Sequence, residues 1–180
     1  DNRIGIYLDE WGTWYDPTEG ASALWQQNTL RDAMVAALHF HVFHRHAGRL
    51  RMANIAQTVN VLQAMILTAG ERMVLTPTYH VFRMYVPFQD ATFVPVSFNA
   101  GAYTHGDITL PRADAIAAKD RAGVLWLALT NIDPARPAEI AVRLAGVSPE
   151  TATGGTLTGS AVGSGTTFAG PKTGGPQPVN

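Results

Sequence analysis

The chain lacks cysteine, which excludes disulfide bonds, thiolate metal sites and cysteine nucleophiles together. It also lacks a run of about 18 apolar residues, because Asn60 and Gln63 interrupt the apolar stretch over residues 59–67, so no membrane span is expected. The chain also has no excess of positive or of negative charge. The net charge of −1 offers no electrostatic footprint for nucleic acid or an anionic membrane. With 46% hydrophobic residues in 180, the chain has enough apolar sequence for a real core, as one domain or as parts of two.

Several common catalytic motifs are absent as well. The glycine-rich C-terminal part contains no GxxxxGK[ST] phosphate loop, and no serine lies in a GxSxG turn. Histidines cluster at positions 39, 41, 44 and 46, but the HxxxH spacing of helical zinc sites does not occur among them. We therefore expect these histidines to form ordinary hydrogen bonds in the core or at the surface, and we expect neither a metal ion nor another cofactor.

The most informative segment is the one from Ile4 to Tyr15. An apolar run leads directly into Asp9 and Glu10, and two tryptophans follow. The run predicts a buried strand of a parallel sheet, and (β/α)8 enzymes place catalytic side chains at the C-terminal ends of such strands. An acid that only caps the following turn is the alternative interpretation. The tryptophans favour catalysis, because their flat apolar rings are suited to stacking on a sugar.

Helical and strand patterns follow this segment. The predicted elements are a helix from Leu30 to about His46, a strand over residues 50–56, a loop with irregular or helical pieces over 58–75, and a helix from Thr76 to Pro87. Asn28 or Thr29 is suited to cap the first helix. Strand, helix and strand at this spacing predict one unit of an α/β sheet or barrel.

From residue 91 the pattern changes to short strands. They are predicted over residues 92–98, 115–118, 124–129 and 139–144, with turn residues between them, which is typical of an antiparallel β-sandwich. We place a domain boundary near residue 90, so that residues 1–90 form one unit and residues 91–180 the other. The last 30 residues hold eight of the 17 glycines and predict hairpins that fade into a truncated or disordered tail. A strand within a few residues of the N-terminus also leads us to expect the C-terminal portion of a longer protein.

Gln57 is a candidate binding residue. It follows the second predicted strand, so if that strand is parallel and adjacent to the first, Gln57 lies at the same edge as Glu10. Its amide could bind sugar hydroxyls as both donor and acceptor. A loop amide bonded to the backbone is an equally good interpretation of the sequence.

Three sequence blocks in this order are similar to a known family: residues 8–15 (LDEWGTWY), 27–32 (QNTLRD) and 52–61 (MANIAQTVNV). They resemble the α-L-arabinofuranosidases of glycoside hydrolase family 51, closely over residues 3–100 and more loosely beyond. The resemblance implies a (β/α)8 barrel, of which this chain would hold strands 7 and 8, followed by a β-sandwich. It implies hydrolysis of terminal arabinofuranosyl groups with retention of configuration. Glu10 would be the nucleophile, Trp14 a wall of the sugar subsite and Gln57 a substrate-binding residue.

A retaining glycosidase needs a second carboxyl group as acid and base, and none of the candidates here has a strand-end setting. In the resembling family this glutamate lies on the fourth strand, so we expect the chain alone to be inactive. The partners implied are arabinofuranosyl oligosaccharides or polysaccharides and further copies of the parent, in a hexamer for some members. We expect a cytoplasmic location, with secretion as the alternative. The other functions left open are another retaining (β/α)8 glycosidase, such as a xylanase or glucosidase, and a non-catalytic carbohydrate-binding module.

Overall fold

A computed structural model describes residues 4–17, 20–170 and 175–179. In chain order its elements are β1 (Ile6–Trp11), α1 (Leu30–Arg45), β2 (Leu50–Ile55), β3 (Ile66–Ala69), β4 (Arg72–Leu75), α2 (Pro77–Tyr85), a 3-10 helix (Val86–Phe88), β5 (Thr92–Val94), β6 (Ala102–His105), β7 (Ile108–Pro111), β8 (Ala113–Lys119), β9 (Leu125–Asn131), β10 (Gly154–Thr156) and β11 (Gln177–Val179). Within these ranges, no helix combines the length and the apolar character that crossing a membrane requires.

Strands β1 and β2 pair in parallel, with Ile6 opposite Leu50 and Trp11 opposite Ile55. The parallel pairing and the helix between the two strands are confirmed. The expectation that β1 is buried is wrong, because 63% of Tyr7 is exposed and β2 is the only partner strand of β1 in the described ranges. This chain therefore does not contain a (β/α)8 barrel: the described residues form one parallel pair of strands.

Helix α1 begins and ends close to the predicted residues, because its N-terminus carries a strong local signal. Thr29 precedes the helix in an extended conformation, and its backbone N–H donates to Asp32 Oδ2 at 2.8 Å. This contact satisfies one polar group at the start of the helix, where four N–H groups have no partner within the helix. Small residues at helical spacing, Ala33, Ala36 and Ala37, form the buried face and let the helix pack closely.

The expected loop with helical pieces over residues 58–75 is wrong in its second half. Residues 66–75 form the antiparallel hairpin β3–β4, in which Leu67 pairs with Val74. Gly70 has φ +58° at the turn, a conformation that glycine adopts without strain. Helix α2 follows as predicted, and the Thr76 side chain accepts a hydrogen bond from Tyr79 N at 3.4 Å.

All pairings after residue 90 are antiparallel, as predicted. Strands β5, β8 and β9 form one sheet with β8 in the centre, and β6–β7 and β10–β11 form separate pairs. The predicted strand over residues 139–144 is wrong: its apolar side chains are exposed, and no described strand pairs with it. The predicted tail is wrong over residues 177–179, which form β11, while residues 171–174 and 180 lie outside the described residues.

The main hydrophobic core lies between α1, α2, β1 and the β8–β9 face. Its fully or largely buried members are Trp11, Ala33, Ala36, Ala37, Val81, Tyr85, Phe88, Ile116 and Ala118. Trp11 lies against three phenylalanines: its ring centroid is 5.7 Å from that of Phe40, 5.2 Å from that of Phe43 and 6.1 Å from that of Phe82. This core spans the sequence on both sides of residue 90, and the boundary there stays a prediction.

Candidate functional site

The parallel register brings the C-terminal ends of β1 and β2 to one edge. Trp11 is opposite Ile55, and the backbone N–H of Ala56 donates to the Trp11 carbonyl at 2.8 Å. Glu10 precedes this pair by one residue, and Gln57 follows it by two. Both side chains are exposed. The predicted juxtaposition of the two strand ends is therefore present, and the edge offers a carboxylate and an amide to solvent.

Asp9 and Glu10 are both exposed, and simple alternation does not separate them. The pairing of β1 with β2 is irregular between Leu8 and Trp11, and both of these apolar side chains pack on the main core although they are three residues apart. Strict alternation would place Leu8 and Trp11 on opposite faces. The expectation that Asp9 points away from Glu10 stays a prediction.

Gly12 makes the turn that directly follows β1. Its φ of +149° is strained for residues with a side chain, and a Cβ there would lie 3.4 Å from the Ala56 carbonyl oxygen and 3.4 Å from Gln63 Oε1. Glycine at this position therefore lets the chain turn tightly against the end of β2.

Thr13 is held at three of its polar groups. Its backbone N–H donates to Gln63 Oε1 at 3.0 Å, and its hydroxyl donates to Asp32 Oδ1 at 2.8 Å. Its carbonyl accepts from Gln26 Nε2 at 3.4 Å. Because these three bonds come from different parts of the chain, they fix the backbone immediately before Trp14.

The side chains that hold Thr13 are themselves buried. Asp32 and Gln63 are fully buried, and Gln63 Nε2 donates to the Asp32 carbonyl at 2.8 Å. In the sequence, Gln63 stands out only as an interruption of an apolar run, and Asp32 only as the last residue of the block QNTLRD. A buried amide inside an apolar run is a signal that could have identified this support, because such a group needs hydrogen-bond partners.

Trp14 extends into solvent from this fixed backbone, with 67% of its surface exposed. The next residue is fixed as well: Tyr15 N donates to Gln26 Oε1 at 3.2 Å, and the Arg31 guanidinium lies 3.5 Å from the centre of the Tyr15 ring. Trp14 is thus an exposed ring beside a hydrogen-bonded turn, three residues after the strand that carries Glu10, and its role as a wall of a sugar subsite stays a prediction. A flat ring, a carboxylate and an amide form a suitable set of groups for a neutral polyhydroxylated ligand.

The other carboxylates considered in the sequence have other settings. Asp90 forms an ion pair with Arg121 at 3.3 Å, Glu71 lies in the β3–β4 turn, and Glu19 lies outside the described residues. Asp32 is used in the network around Thr13. In the described part of the chain, none of these carboxylates lies at the end of β1 or β2.

The histidines of α1 are engaged in hydrogen bonds. Nδ1 of His39 lies 2.8 Å from the Val35 carbonyl, and Nδ1 of His44 lies 2.6 Å from the Phe40 carbonyl. His41 is fully buried, and burial lowers its pKa below 6.5 despite the neighbouring carboxylate of Asp114, which raises it. No group of three histidine, cysteine or acidic side chains among the described residues is placed to bind a metal ion.

His41 links α1 to the antiparallel sheet. Its Nδ1 lies 3.0 Å from Asp114 Oδ2 on β8, and its Nε2 lies 2.6 Å from the Tyr85 hydroxyl. Because a carboxylate only accepts, Nδ1 donates to Asp114, and the Nε2 of the neutral ring accepts from Tyr85. Arg45 also donates to both oxygens of Asp114. No pattern in the sequence identified Asp114 as the partner of His41 and Arg45.

Comparison with protein families gives one match over nearly the whole chain. The family described as the α-L-arabinofuranosidase C-terminal domain matches residues 9–180. An intracellular exo-α-L-arabinofuranosidase of Bacteroides ovatus is 48% identical over 163 residues, which is 89% of this chain and 32% of that protein. A probable α-L-arabinofuranosidase C of Aspergillus niger is 28% identical over 73% of this chain and 28% of its own length. The chain thus spans about a third of the length of the curated relatives that it matches.

Superposition on solved structures also relates this chain to part of the arabinofuranosidases. The GH51 arabinofuranosidase of Xanthomonas axonopodis pv. citri superposes with a TM-score of 0.94 and 47% identity, over 99% of this chain and 37% of that one. The α-L-arabinofuranosidase of Thermotoga maritima, in its arabinose complex, superposes with a TM-score of 0.82 over 97% of this chain and 38% of its own. Its identity of 24% supports the shared fold alone.

Proposed function

This chain belongs to the α-L-arabinofuranosidase C-terminal domain family, and from that premise we propose that it is part of a family 51 glycoside hydrolase. The reaction that we propose is release of terminal, non-reducing α-L-arabinofuranosyl groups with retention of configuration. The observation that carries the proposal is the parallel register of β1 and β2, which brings the strand ends bearing Glu10 and Gln57 to one edge. Trp14, whose ring is exposed, lies in the turn that follows β1.

In the proposed mechanism the Glu10 carboxylate attacks the anomeric carbon. A bond forms between its oxygen and that carbon while the glycosidic C–O bond breaks, and an acid gives its proton to the leaving oxygen. The residue that acted as the acid then removes a proton from water, whose oxygen attacks the same carbon. The bond between that carbon and the Glu10 oxygen breaks, and arabinose is released. The two carboxyl groups of such a pair lie about 5–5.5 Å apart. Because Asp32, Glu71 and Asp90 all lie away from the ends of β1 and β2, we propose that the acid comes from sequence outside this chain.

We propose that Trp14 and Gln57 position the sugar. An exposed indole beside a hydrogen-bonded turn provides a flat apolar surface against which a furanose ring can lie. The Gln57 amide provides a donor and an acceptor for hydroxyl groups. Neither contact requires charge, which agrees with a neutral substrate.

The architectural proposal is that β1, β2, α1 and α2 correspond to the last two units of a barrel completed by other sequence, within a unit over residues 1–90. Exposure of Ile6 and Tyr7 on β1 supports this proposal, since a further strand there would cover them. Residues 91–180 would then be the following antiparallel unit. For this reason we expect no hydrolysis of an aryl arabinofuranoside by the isolated chain.

The test uses the full-length protein that carries this sequence. Glu10→Ala should lower kcat on an aryl α-L-arabinofuranoside by about four orders of magnitude or more, because it removes the attacking oxygen. Added azide should restore turnover and give the arabinofuranosyl azide of inverted configuration. The matched control is Asp9→Ala, which changes the neighbouring exposed carboxylate and should retain most activity. Unchanged turnover in Glu10→Ala, or an equal loss in Asp9→Ala, contradicts the assignment of the nucleophile.

Three further properties of the full-length protein belong to the same proposal: preference for arabinofuranosides over pyranosides, self-association and a cytoplasmic location. The relatives named above are arabinofuranosidases, and the one from Bacteroides ovatus is described as intracellular. A panel of aryl furanosides and pyranosides, light scattering and cell fractionation test the three properties. A higher kcat/KM on a xyloside or glucoside would favour another retaining glycosidase.

A further inference from the structure

Residues 162–168, which we call the capping segment, contact the start of α1. The backbone N–H of Leu30 donates to the Ser164 carbonyl at 2.7 Å, and that of Arg31 donates to the Val162 carbonyl at 2.9 Å. The first N–H groups of a helix have no partner inside the helix, so a distant part of the chain completes this end of α1.

The capping segment is held against the preceding loop as well. Gln27 Nε2 donates to the Thr166 carbonyl at 2.9 Å. Phe168 and Trp25 both pack against a second, small core cluster, which consists of Ala64, Leu67 and Val74. The approach is closest at Gly165, where a Cβ would lie 2.7 Å from the Asn28 carbonyl oxygen. Only a residue without a side chain lets the two backbones come this near.

A continuous series of hydrogen bonds leads from this contact to the candidate site. The capped turn includes Thr29, whose N–H is bonded to the Asp32 carboxylate. The same carboxylate accepts from the Thr13 hydroxyl at 2.8 Å. Because Thr13 directly precedes Trp14, a shift of the first turn of α1 would move the backbone that carries the exposed indole.

From these contacts we infer that the capping segment positions Trp14 for substrate, which makes it a specificity-determining part of the site contributed by the antiparallel half of the chain. The inference rests on the proposed function. The segment acts through α1 and Thr13, so its residues are positioning residues and make no contact with the reacting atoms. Loss of the contact should therefore weaken substrate binding more than it slows the chemical step.

The first test compares Gly165→Ala with Gly154→Ala in the full-length protein. A Cβ at position 165 collides with backbone, whereas one at position 154, outside the capping segment, meets only Val179 Cγ2 at an ordinary contact distance of 3.7 Å. We expect Gly165→Ala to raise KM for an aryl arabinofuranoside by about tenfold with kcat changed less than about threefold, and Gly154→Ala to leave both unchanged. A lower Tm with unaltered KM would show a purely structural contact and overturn the inference, as would equal effects of the two variants.

The second test removes the Leu30 N–H instead of adding a side chain at Gly165. It therefore still tests the positioning role if Gly165→Ala does not fold. Leu30→Pro removes the N–H that donates to Ser164, at the first helical position, where proline is well tolerated. The extended conformation of Thr29, with φ −131° and ψ −175°, is suited to precede proline. Leu30→Ala is the control, because it also shortens the side chain but retains the N–H. A KM increase in Leu30→Pro beyond that in Leu30→Ala is expected, and identical KM values would overturn the inference.

Hydrogen exchange separates this inference from the proposed function. The Arg31 and Thr13 amides should exchange about tenfold faster in Gly165→Ala and Leu30→Pro than in their controls. Faster exchange together with no activity of the unmodified protein on any arabinofuranoside would contradict the proposed function and, with it, the role in specificity. Unchanged exchange at Thr13 in an active enzyme would contradict the positioning role alone.

Discussion

The N-terminal end of α1 meets the antiparallel half of the chain through backbone groups, whereas the C-terminal end meets it through polar and charged side chains. At the first end the N–H groups of Leu30 and Arg31 donate to carbonyls of residues 164 and 162. At the second end His41 and Arg45 bind Asp114 on β8. One helix therefore connects the candidate site to the antiparallel sheet by two kinds of bond.

Because the contacts at the two ends of α1 differ in kind, we expect the two ends to respond to different perturbations. Backbone bonds do not titrate and depend mainly on how closely two segments approach, so the N-terminal end is sensitive to steric change. The C-terminal end depends on the ionisation of Asp114 and on a neutral His41. Burial alone would raise the pKa of Asp114, but hydrogen bonds from Arg45 and His41 lower it overall.

The largest expected effect on stability is at the N-terminal end. Asp32→Ala removes the acceptor for Thr29 N and for the Thr13 hydroxyl in a fully buried setting. The loss of a cap and of a buried acceptor should lower the free energy of unfolding by about 3 kcal/mol, measured by urea denaturation. Glu71→Ala, at an exposed turn, is the control and should change little. A loss in Asp32→Ala no larger than that in Glu71→Ala would show that the network is not needed.

A smaller effect is expected at the C-terminal end. Asp114→Asn weakens the contacts to His41 and Arg45, but the carboxylate is 21% exposed and the Arg45 side chain 36%, so solvent screens the pair. We expect a loss of about 1–2 kcal/mol in the same urea experiment. The control is Asp90→Asn, because the ion pair of Asp90 with Arg121 is mostly exposed and should contribute nothing measurable. A loss in Asp114→Asn larger than that in Asp32→Ala would reverse the comparison of the two ends.

The smallest expected effect is a dependence on pH. The pKa of His41 is lower in the folded chain than its ordinary value of 6.5, so unfolding takes up a proton and stability falls as the pH drops below 6.5. The lowered pKa of Asp114 adds a further loss as the pH drops below 3.8. Urea midpoints from about pH 8 to about pH 5 should therefore decrease, and less steeply in His41→Gln.

Burial also lowers the pKa of His80, so part of this slope should remain in His41→Gln. The double variant with His80→Gln should flatten it further. A slope that is identical in the unmodified chain and in His41→Gln would show that His41 does not contribute to the pH dependence.

Local signals explain what could be predicted of the fold. Helix α1 has a cap, small residues at helical spacing and a glycine after it, and α2 begins with Thr76–Pro77, so both helices were predicted nearly to the residue. The hairpins β3–β4 and β6–β7 were missed. Their turns each depend on one glycine, Gly70 and Gly106, and their strands of four residues are too short for a clear pattern.

In the candidate site, too, only the residues with a local sequence signal could be predicted. Glu10 and Gln57 could be selected from the sequence as candidate site residues because each lies at the end of an apolar strand pattern. The same two patterns form the parallel strands β1 and β2. Gln63 could be recognised as an amide in an apolar run that needs partners, but its pairing with Thr13 could not be predicted, because the two residues lie 50 positions apart and no local rule connects them. The partnership of His41 with Asp114 spans 73 positions in the same way. Contacts of this range are set by tertiary packing.

The distance in sequence between α1 and the capping segment also has a consequence for biosynthesis. Gln27 and the Thr166 carbonyl that it contacts lie 139 positions apart. At typical elongation rates, the loop that carries Trp14 leaves the ribosome on the order of ten seconds before the segment that fixes it. During this interval α1 can form but its first turn is open, so the turn that carries Trp14 becomes fully ordered only after residues 162–168 have been synthesised.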